Sequence, residues 1–172
     1  MIIPLSRLRV LSCAIVALCI SIGCASRGST QLCEGFQSYA TPQDVRNRIN
    51  QSGLRDHWGE QLKTSRASDP RPPYQFLTMA GPFSLSGVEG NLSLIFYDER
   101  LMAAEFSTTK GREYMTVLTR QHRQVPNNPG KDITVDRRTK FRYDINTDGT
   151  LRFTWTDPKL EDQWLKWVRD NS

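Results

Sequence analysis

Two stretches of alternating apolar and polar residues constrain the fold more than any other feature of this chain. In each stretch the alternation runs to a short polar turn and then resumes on the other side of it. Alternation with a period of two is typical of strands that bury one face. The sequence therefore predicts two β-hairpins, whose strands cover residues 91–97, 101–106, 141–145 and 151–155.

Each predicted hairpin leads directly into an amphipathic helical pattern. After the first hairpin, Thr108 or Thr109 is a candidate N-cap for a helix whose inner face carries Tyr114, Val117 and Leu118. After the second hairpin, Asp157-Pro158 has the composition of a cap followed by a first helical residue. The apolar stripe of this last helix predicts that its tryptophans pack in the core, and it comprises Leu160, Trp164, Trp167 and Val168.

These patterns predict an α+β fold, in which an antiparallel sheet built from hairpins carries amphipathic helices packed on one face. A sheet with one apolar face needs a covering layer, and the helices supply it. We expect residues 41–172 to form a single domain, with two similar hairpin-helix halves split near residues 126–130 as an alternative. The halves share an order of elements, and their identity is too low to establish common ancestry.

The turn of the second hairpin lies in the stretch YDINTDGTLRFTW, which also matches part of a calcium-binding loop. Asp144, Asn146 and Asp148 stand where the first three side-chain ligands of an EF-hand stand. The bidentate glutamate that closes such a loop is replaced by Trp155, and Asp148-Gly149 is a favoured tight-turn pair. The sequence therefore favours a hairpin turn over a metal site.

The first two dozen residues have the form of an export signal. Arg7 and Arg9 precede an uncharged, largely apolar run, and this run is too short to cross a bilayer as a permanent helix. The segment Ser21-Ile22-Gly23-Cys24 resembles the lipobox of bacterial lipoproteins, although Ser21 stands where that family prefers leucine.

The resemblance implies that residues 1–23 are removed and that Cys24 carries lipid. Ala25 in the next position implies sorting to the outer membrane, facing the periplasm. Three acyl chains would anchor the protein stably. Ordinary secretion, with cleavage after Ala25 and a free Cys24, is the alternative. The polar residues 24–40 are expected to form a flexible tether.

The start of the expected domain has a helix signal of its own. Thr41-Pro42-Gln43-Asp44 combines an N-cap, a first-turn proline and a first-turn acid, and it precedes a short apolar face. A helix opened in this way and followed by antiparallel strands, in a lipoprotein, is similar in outline to the BamE/OmlA-type accessory lipoproteins of outer-membrane assembly. This resemblance is architectural, and it implies no binding residue.

The chain lacks the sequence patterns of the common hydrolases. His57 and His122 fall in unrelated polar segments, without a zinc-protease pair or a serine nucleophile elbow. The segment Leu32-Cys33-Glu34-Gly35-Phe36 partly resembles the nucleophile motif of the NlpC/P60 cell-wall peptidases, and two of its positions depart from that motif. We interpret this match as coincidence, and we predict no catalytic residue, metal or cofactor.

Three functional hypotheses follow. The first is a non-enzymatic, lipid-anchored module that binds or scaffolds another envelope protein. The second is a cell-wall hydrolase that uses Cys33 and a histidine, Cys33 being the odd cysteine of the exported chain. The third is a binder of anionic lipid or of a cell-wall polymer or glycan through basic residues, whereas export excludes nucleic acid as a partner. The basic residues concerned are Arg120, Arg123, Lys131, Arg137, Arg138, Lys140, Arg142 and Arg152.

Overall fold

The computed structural model describes residues 28–51, 58–59, 74–79, 83–122 and 125–171. Within these residues the chain forms three helices and eight strands. Their order is α1 (Pro42–Gln51), β1 (Trp58–Gly59), β2 (Tyr74–Met79), β3 (Phe83–Leu85), β4 (Val88–Tyr97), β5 (Arg100–Thr108), α2 (Gly111–His122), β6 (Ile133–Val135), β7 (Thr139–Ile145), β8 (Leu151–Thr156) and α3 (Pro158–Asn171).

The strands form one antiparallel sheet in the order β1-β2-β4-β5-β8-β7-β6, and β3 pairs with the first residues of β4. The two predicted hairpins are β4-β5 and β7-β8, and they join through β5 and β8, where Phe106 lies opposite Phe153. The predicted α+β class with an antiparallel sheet is therefore confirmed. The strands β1, β3 and β6 have only two or three residues each, too few for an alternating pattern to stand out, and the sequence did not predict them.

The helices divide between the two faces of the sheet. On β4, Leu94 and Phe96 belong to the main core with the buried residues of α1 and α2, whereas Ile95 and Tyr97 belong to a second, smaller cluster with Leu160 of α3. Neighbouring residues of a strand point to opposite faces. The expectation that helices share one face therefore holds for α1 and α2, while α3 covers the other face.

An aromatic cluster fills the main core beneath α2. The ring of Tyr114 on α2 lies 4.9 Å from that of Phe153 and 6.4 Å from that of Trp155, in edge-to-face geometry. The ring of Phe141 on β7 lies parallel to that of Phe153 at 6.4 Å and tilted against that of Trp155 at 5.2 Å. These aromatics lie beneath α2 and not beneath the final helix, because α3 covers the opposite face of the sheet. The order of elements recurs in the two halves, but their helices do not occupy equivalent positions.

The segment before α1 is part of the domain. Leu32, Cys33 and Phe36 are each at most 5% exposed and belong to the main core. The prediction of a tether over residues 24–40 is therefore wrong for the described part of that range. Three apolar side chains spaced within five residues bury enough surface to hold a segment that composition alone marks as polar and flexible.

Hydrogen bonds fix both ends of this N-terminal segment to strands of the sheet. The Leu101 amide donates to the Ala40 carbonyl at 2.8 Å, and the Tyr39 amide donates to the Leu101 carbonyl at 3.0 Å. At the other end, the Thr139 hydroxyl donates to the Gln31 carbonyl at 2.7 Å and also contacts the Thr30 hydroxyl. The segment therefore spans from β5 to β7 across the domain.

The predicted starts of α1 and α3 are confirmed, whereas α2 begins at Gly111, two residues beyond Thr109, the later of its two predicted caps. The Asp157 carboxylate accepts the Lys159 amide at 2.9 Å and the Leu160 amide at 3.2 Å, which caps α3. Thr41 and Asp44 exchange hydrogen bonds at the start of α1, in a capping-box arrangement. These side chains satisfy amides that no helical carbonyl can reach.

The turn after β7 is a hairpin connection. The Asn146 amide donates to the Thr150 carbonyl at 2.9 Å, and Gly149 has a φ of 81°, which favours glycine. The Asp148 carboxylate accepts the amide and the hydroxyl of Thr150, and these hydrogen bonds lower the pKa of Asp148. Asp144 pairs instead with arginines on the sheet. The hairpin interpretation is confirmed. Asp144 and Asp148, the two carboxylates of the calcium-like stretch, contact different partners.

Candidate functional site

A groove lies on the sheet face that carries α3, where the helix leaves part of β5, β8 and β7 uncovered. Its cavity volume is about 270 Å³. Its floor is formed by the strands and one wall by the first turns of α3. The lining side chains are Ile95, Met102, Ala103, Glu105, Asp132, Lys140, Arg142, Thr154, Thr156, Glu161 and Trp164.

One end of the groove is apolar. Met102 and Ala103 are buried on β5, and the half-buried Trp164 of α3 packs against them and Ile95. Met102 reaches this face because the pairing of β4 with β5 shifts by one residue, so that Ile95 pairs with Ala103 and the next residue pairs with Leu101. In a bulge of this kind the side chain of the extra residue, here Met102, points to the other face of the sheet.

The far wall of the groove is a three-membered ionic cluster centred on Lys140. Its ammonium group lies 3.0 Å from a carboxylate oxygen of Asp132 and 3.0 Å from one of Glu161 on α3. Burial by itself would lower the pKa of Lys140, and the hydrogen bonds to Glu161 and Asp132 outweigh burial, so that the pKa is raised. The cluster fixes the start of α3 to the β6-β7 edge of the sheet.

A second ionic cluster lies further along the same face. The Asp144 carboxylate on β7 lies 3.1 Å from Nε of Arg142 and 3.6 Å from a terminal nitrogen of Arg152 on β8. Asp144 and Arg152 are direct partners across the β7-β8 hairpin. Opposite charges at paired positions of a sheet attract one another, so the two arginines share one carboxylate.

Glu105 differs from these carboxylates. It is half-buried on β5 opposite Thr154 of β8, and the more distant charges of Arg152 and Arg142 act on it without a hydrogen bond from a described residue. Burial raises the pKa of Glu105, and the arginines only partly offset this effect. The hydroxyl of Thr154 is also buried, and within the described residues it has no hydrogen-bond partner. The same holds for Nε of Arg152 and for one carboxylate oxygen of Asp144, so several buried polar groups on this face lack a hydrogen-bond partner among the described residues.

The residues that the sequence singled out lie elsewhere. Cys24 and His57 lie outside the described residues, and so does the side chain of His122. Cys33 is 5% exposed, and burial, followed by the charge of Glu34, strongly raises the pKa of its thiol. A nucleophilic cysteine needs a lowered pKa and access to substrate. The surroundings of Cys33 therefore favour an inert core residue over a nucleophile.

Cys33 also lines a second cavity, of about 240 Å³, on the α2 face of the sheet. Tyr114, Trp155 and Leu118 form its apolar part, and Glu34 and Gln121 lie at its edge. Glu34 and Gln121 both bond to Ser86 in the β3-β4 turn. These contacts tie the N-terminal segment to that turn and to α2.

The basic residues that the structure describes do not form one free patch. Lys140, Arg142 and Arg152 are engaged by carboxylates on the α3 face. Arg137 and Arg138 lie exposed in the β6-β7 turn, and Arg120 lies exposed on α2, on the opposite face of the sheet. Among the described residues, no group of three or more histidine, cysteine or acidic side chains could hold a metal ion.

The sequence gives a weak indication of the groove, namely one polar residue inside each of two otherwise apolar strands. Glu105 falls between Ala104 and Phe106 in an otherwise apolar strand, and Thr154 falls between Phe153 and Trp155. Such positions are ordinarily assigned to a solvated face. Only the crossing of α3 to that face makes them part of a groove.

No protein-family model, no curated protein and no solved structure matches this chain. In the described portion of the chain, none of the helices combines the length and the apolar character needed to cross a membrane.

Proposed function

We propose that this chain is a non-enzymatic binding module of the bacterial cell envelope, anchored by lipid at Cys24 and placed at the periplasmic side of the outer membrane. In this role the domain receives a segment of another envelope protein. The observation that carries the proposal is the groove beside α3, which combines an apolar floor with half-buried charged and hydroxyl groups. Grooves of this composition are typical of binding sites.

The anchor and the binding role need separate tests. Mass spectrometry of the mature protein should find an N-terminal Cys24 that carries three acyl chains, and Cys24→Ser should abolish acylation. A mature N-terminus after Ala25, without lipid, would refute the anchor and leave the groove unaffected.

The binding role can be tested by photocrosslinking in cells. A photoreactive residue at Arg142, in the groove, should give one discrete crosslinked product with an envelope protein, whereas the same residue at Glu113, exposed on α2 on the other face, should not. The two positions lie on opposite faces of the sheet, so each detects a partner bound to its own face. An absence of crosslinks at Arg142, or identical products from both positions, would refute the proposed function.

A further inference from the structure

The cavity on the α2 face of the sheet has apolar walls and a polar edge. The wall side chains are at most 7% exposed, and they are Leu32, Tyr114, Leu118, Val135 and Trp155. An apolar cavity of about 150 Å³ in a folded protein can hold a benzene molecule. This cavity measures about 240 Å³ and has room for one ring with a small substituent. The walls therefore favour a compact apolar ligand over a long chain.

The hydroxyl of Tyr114 is a polar group at this cavity without a hydrogen-bond partner. The Tyr114 ring packs against Phe106 and Phe153, whose centroids each lie 4.9 Å from its own, and no described residue bonds its hydroxyl. The described side-chain atoms that are fully enclosed and unbonded lie elsewhere, on Arg100, Asp144, Arg152 and Thr154. The Tyr114 hydroxyl is not one of these enclosed atoms, so part of it stays open to the cavity and can contact a ligand.

The groups around this hydroxyl favour a neutral ligand. Burial, followed by the nearby Cys33 and Glu34, raises the pKa of Tyr114, so the hydroxyl stays protonated and acts as a donor. Cys33 and Glu34 also line the cavity, which places the hydroxyl toward its interior. Asp136 lies exposed at the edge, and none of the described lining residues is cationic. A neutral donor inside and carboxylates at the edge disfavour an anion and suit a neutral acceptor.

We propose that this cavity is a second binding site, which takes a small neutral aromatic molecule with one hydrogen-bond acceptor, such as a carbonyl oxygen. The ligand ring packs against Trp155 and Leu118, and its acceptor receives the hydrogen bond of the Tyr114 hydroxyl. Aromatic walls favour an aromatic ligand, because ring pairs attract one another beyond the effect of burial. The site lies on the opposite face of the sheet from the groove, so it is independent of the proposed function.

Three matched probes test this class of ligand. The full-length chain in detergent micelles is dialysed against acetophenone, ethylbenzene or benzoate at neutral pH, so that the free concentration of each probe is known, and amide shifts are followed by NMR. Acetophenone should give saturable shifts at Cys33 and Val135 and none at Ala103 in the groove. Benzoate should bind about tenfold more weakly or worse, because its charge would be buried beside carboxylates. Equal binding of benzoate, no saturable shift with acetophenone, or shifts centred on Ala103 would overturn the assignment.

Removal of the hydroxyl tests its role as the donor. Tyr114→Phe should weaken acetophenone about three- to tenfold, as expected for one lost hydrogen bond, and should leave ethylbenzene, which has no acceptor, unchanged. Tyr143→Phe is the control, because Tyr143 belongs to the same core and does not line the cavity, and it should change neither probe. Equal effects of Tyr114→Phe on both probes, or no effect on either, would refute the hydrogen bond and with it the proposed ligand.

The stability of Tyr114→Phe separates a binding role from a structural one. This variant should melt at the same temperature as the wild type or higher, because the hydroxyl that it removes has no partner in the fold. A clear fall in its melting temperature would identify a structural hydrogen bond and overturn the assignment. Crosslinking at Arg142 reports the other face, so failure of the cavity tests leaves the proposed function standing.

Discussion

Substitution of Phe36 by alanine tests whether the segment before α1 is tether or core. Phe36 is 4% exposed, its ring centroid lies 6.4 Å from that of Phe83, and the Arg48 guanidinium lies 5.9 Å above it. Removal of a buried phenylalanine side chain costs about 3–5 kcal/mol through lost burial and the cavity that remains. At about 2–4 °C per kcal/mol for a domain of this size, the melting temperature should fall by about 6–20 °C.

The control for this prediction is the neighbouring side chain. Gln37 is exposed, and its substitution by alanine should change the free energy of unfolding by less than about 0.5 kcal/mol. Urea unfolding followed by circular dichroism measures both variants. If Phe36→Ala were as stable as Gln37→Ala, the segment would be a tether, and the burial of Leu32, Cys33 and Phe36 would be refuted.

Three further predictions follow from caps and ionisable groups. Asp157→Ala should destabilise the fold by about 1–2 kcal/mol or more, because α3 loses its N-cap and the Ser38 hydroxyl loses its buried acceptor. Thermal unfolding measures this loss, with Asp162→Ala as the exposed control. Cys33 should resist iodoacetamide at pH 8 in the folded protein and react in urea, because burial raises the pKa of its thiol. Rapid alkylation of the folded protein, detected by mass spectrometry, would contradict that burial. Hydrogen bonds from Thr41 lower the pKa of Asp44, so its contribution to stability is present above the unfolded pKa and is lost as the pH falls through the folded pKa. Asp44→Asn should therefore flatten the acid side of the stability curve, and an unchanged curve would count against the capping box.

The parts of the fold that the sequence predicted are those that local chemistry determines. Asp157-Pro158 caps α3 and Asp148-Gly149 turns the second hairpin through hydrogen bonds and backbone preferences that involve only neighbouring residues. The face of the sheet against which a helix packs is determined by contacts between residues that are distant in the sequence. Leu160 joins Ile95 and Tyr97 rather than Phe153, and no local pattern contains that choice.

A one-residue bulge explains the error on β5. Strict alternation along the predicted strand 101–106 would place Met102 on one face with Ala104 and Phe106. In the structure Leu101 shares that face and Met102 joins the opposite cluster, because the register with β4 shifts between Ile95 and Phe96. Alternation cannot reveal a bulge in advance. The same shift builds the apolar end of the groove, so the candidate site could not be predicted from the period-two pattern.

The burial of the N-terminal segment sets a limit on where the domain can work. With Cys24 as the lipid-bearing residue, only six residue steps separate the bilayer surface from Thr30, which is held against Thr139. A fully extended chain of that length spans at most about 20 Å. With this anchor the domain stays at the membrane surface and cannot extend far into the periplasm. If Cys24 carries the lipid, any partner of the groove has to approach the membrane surface.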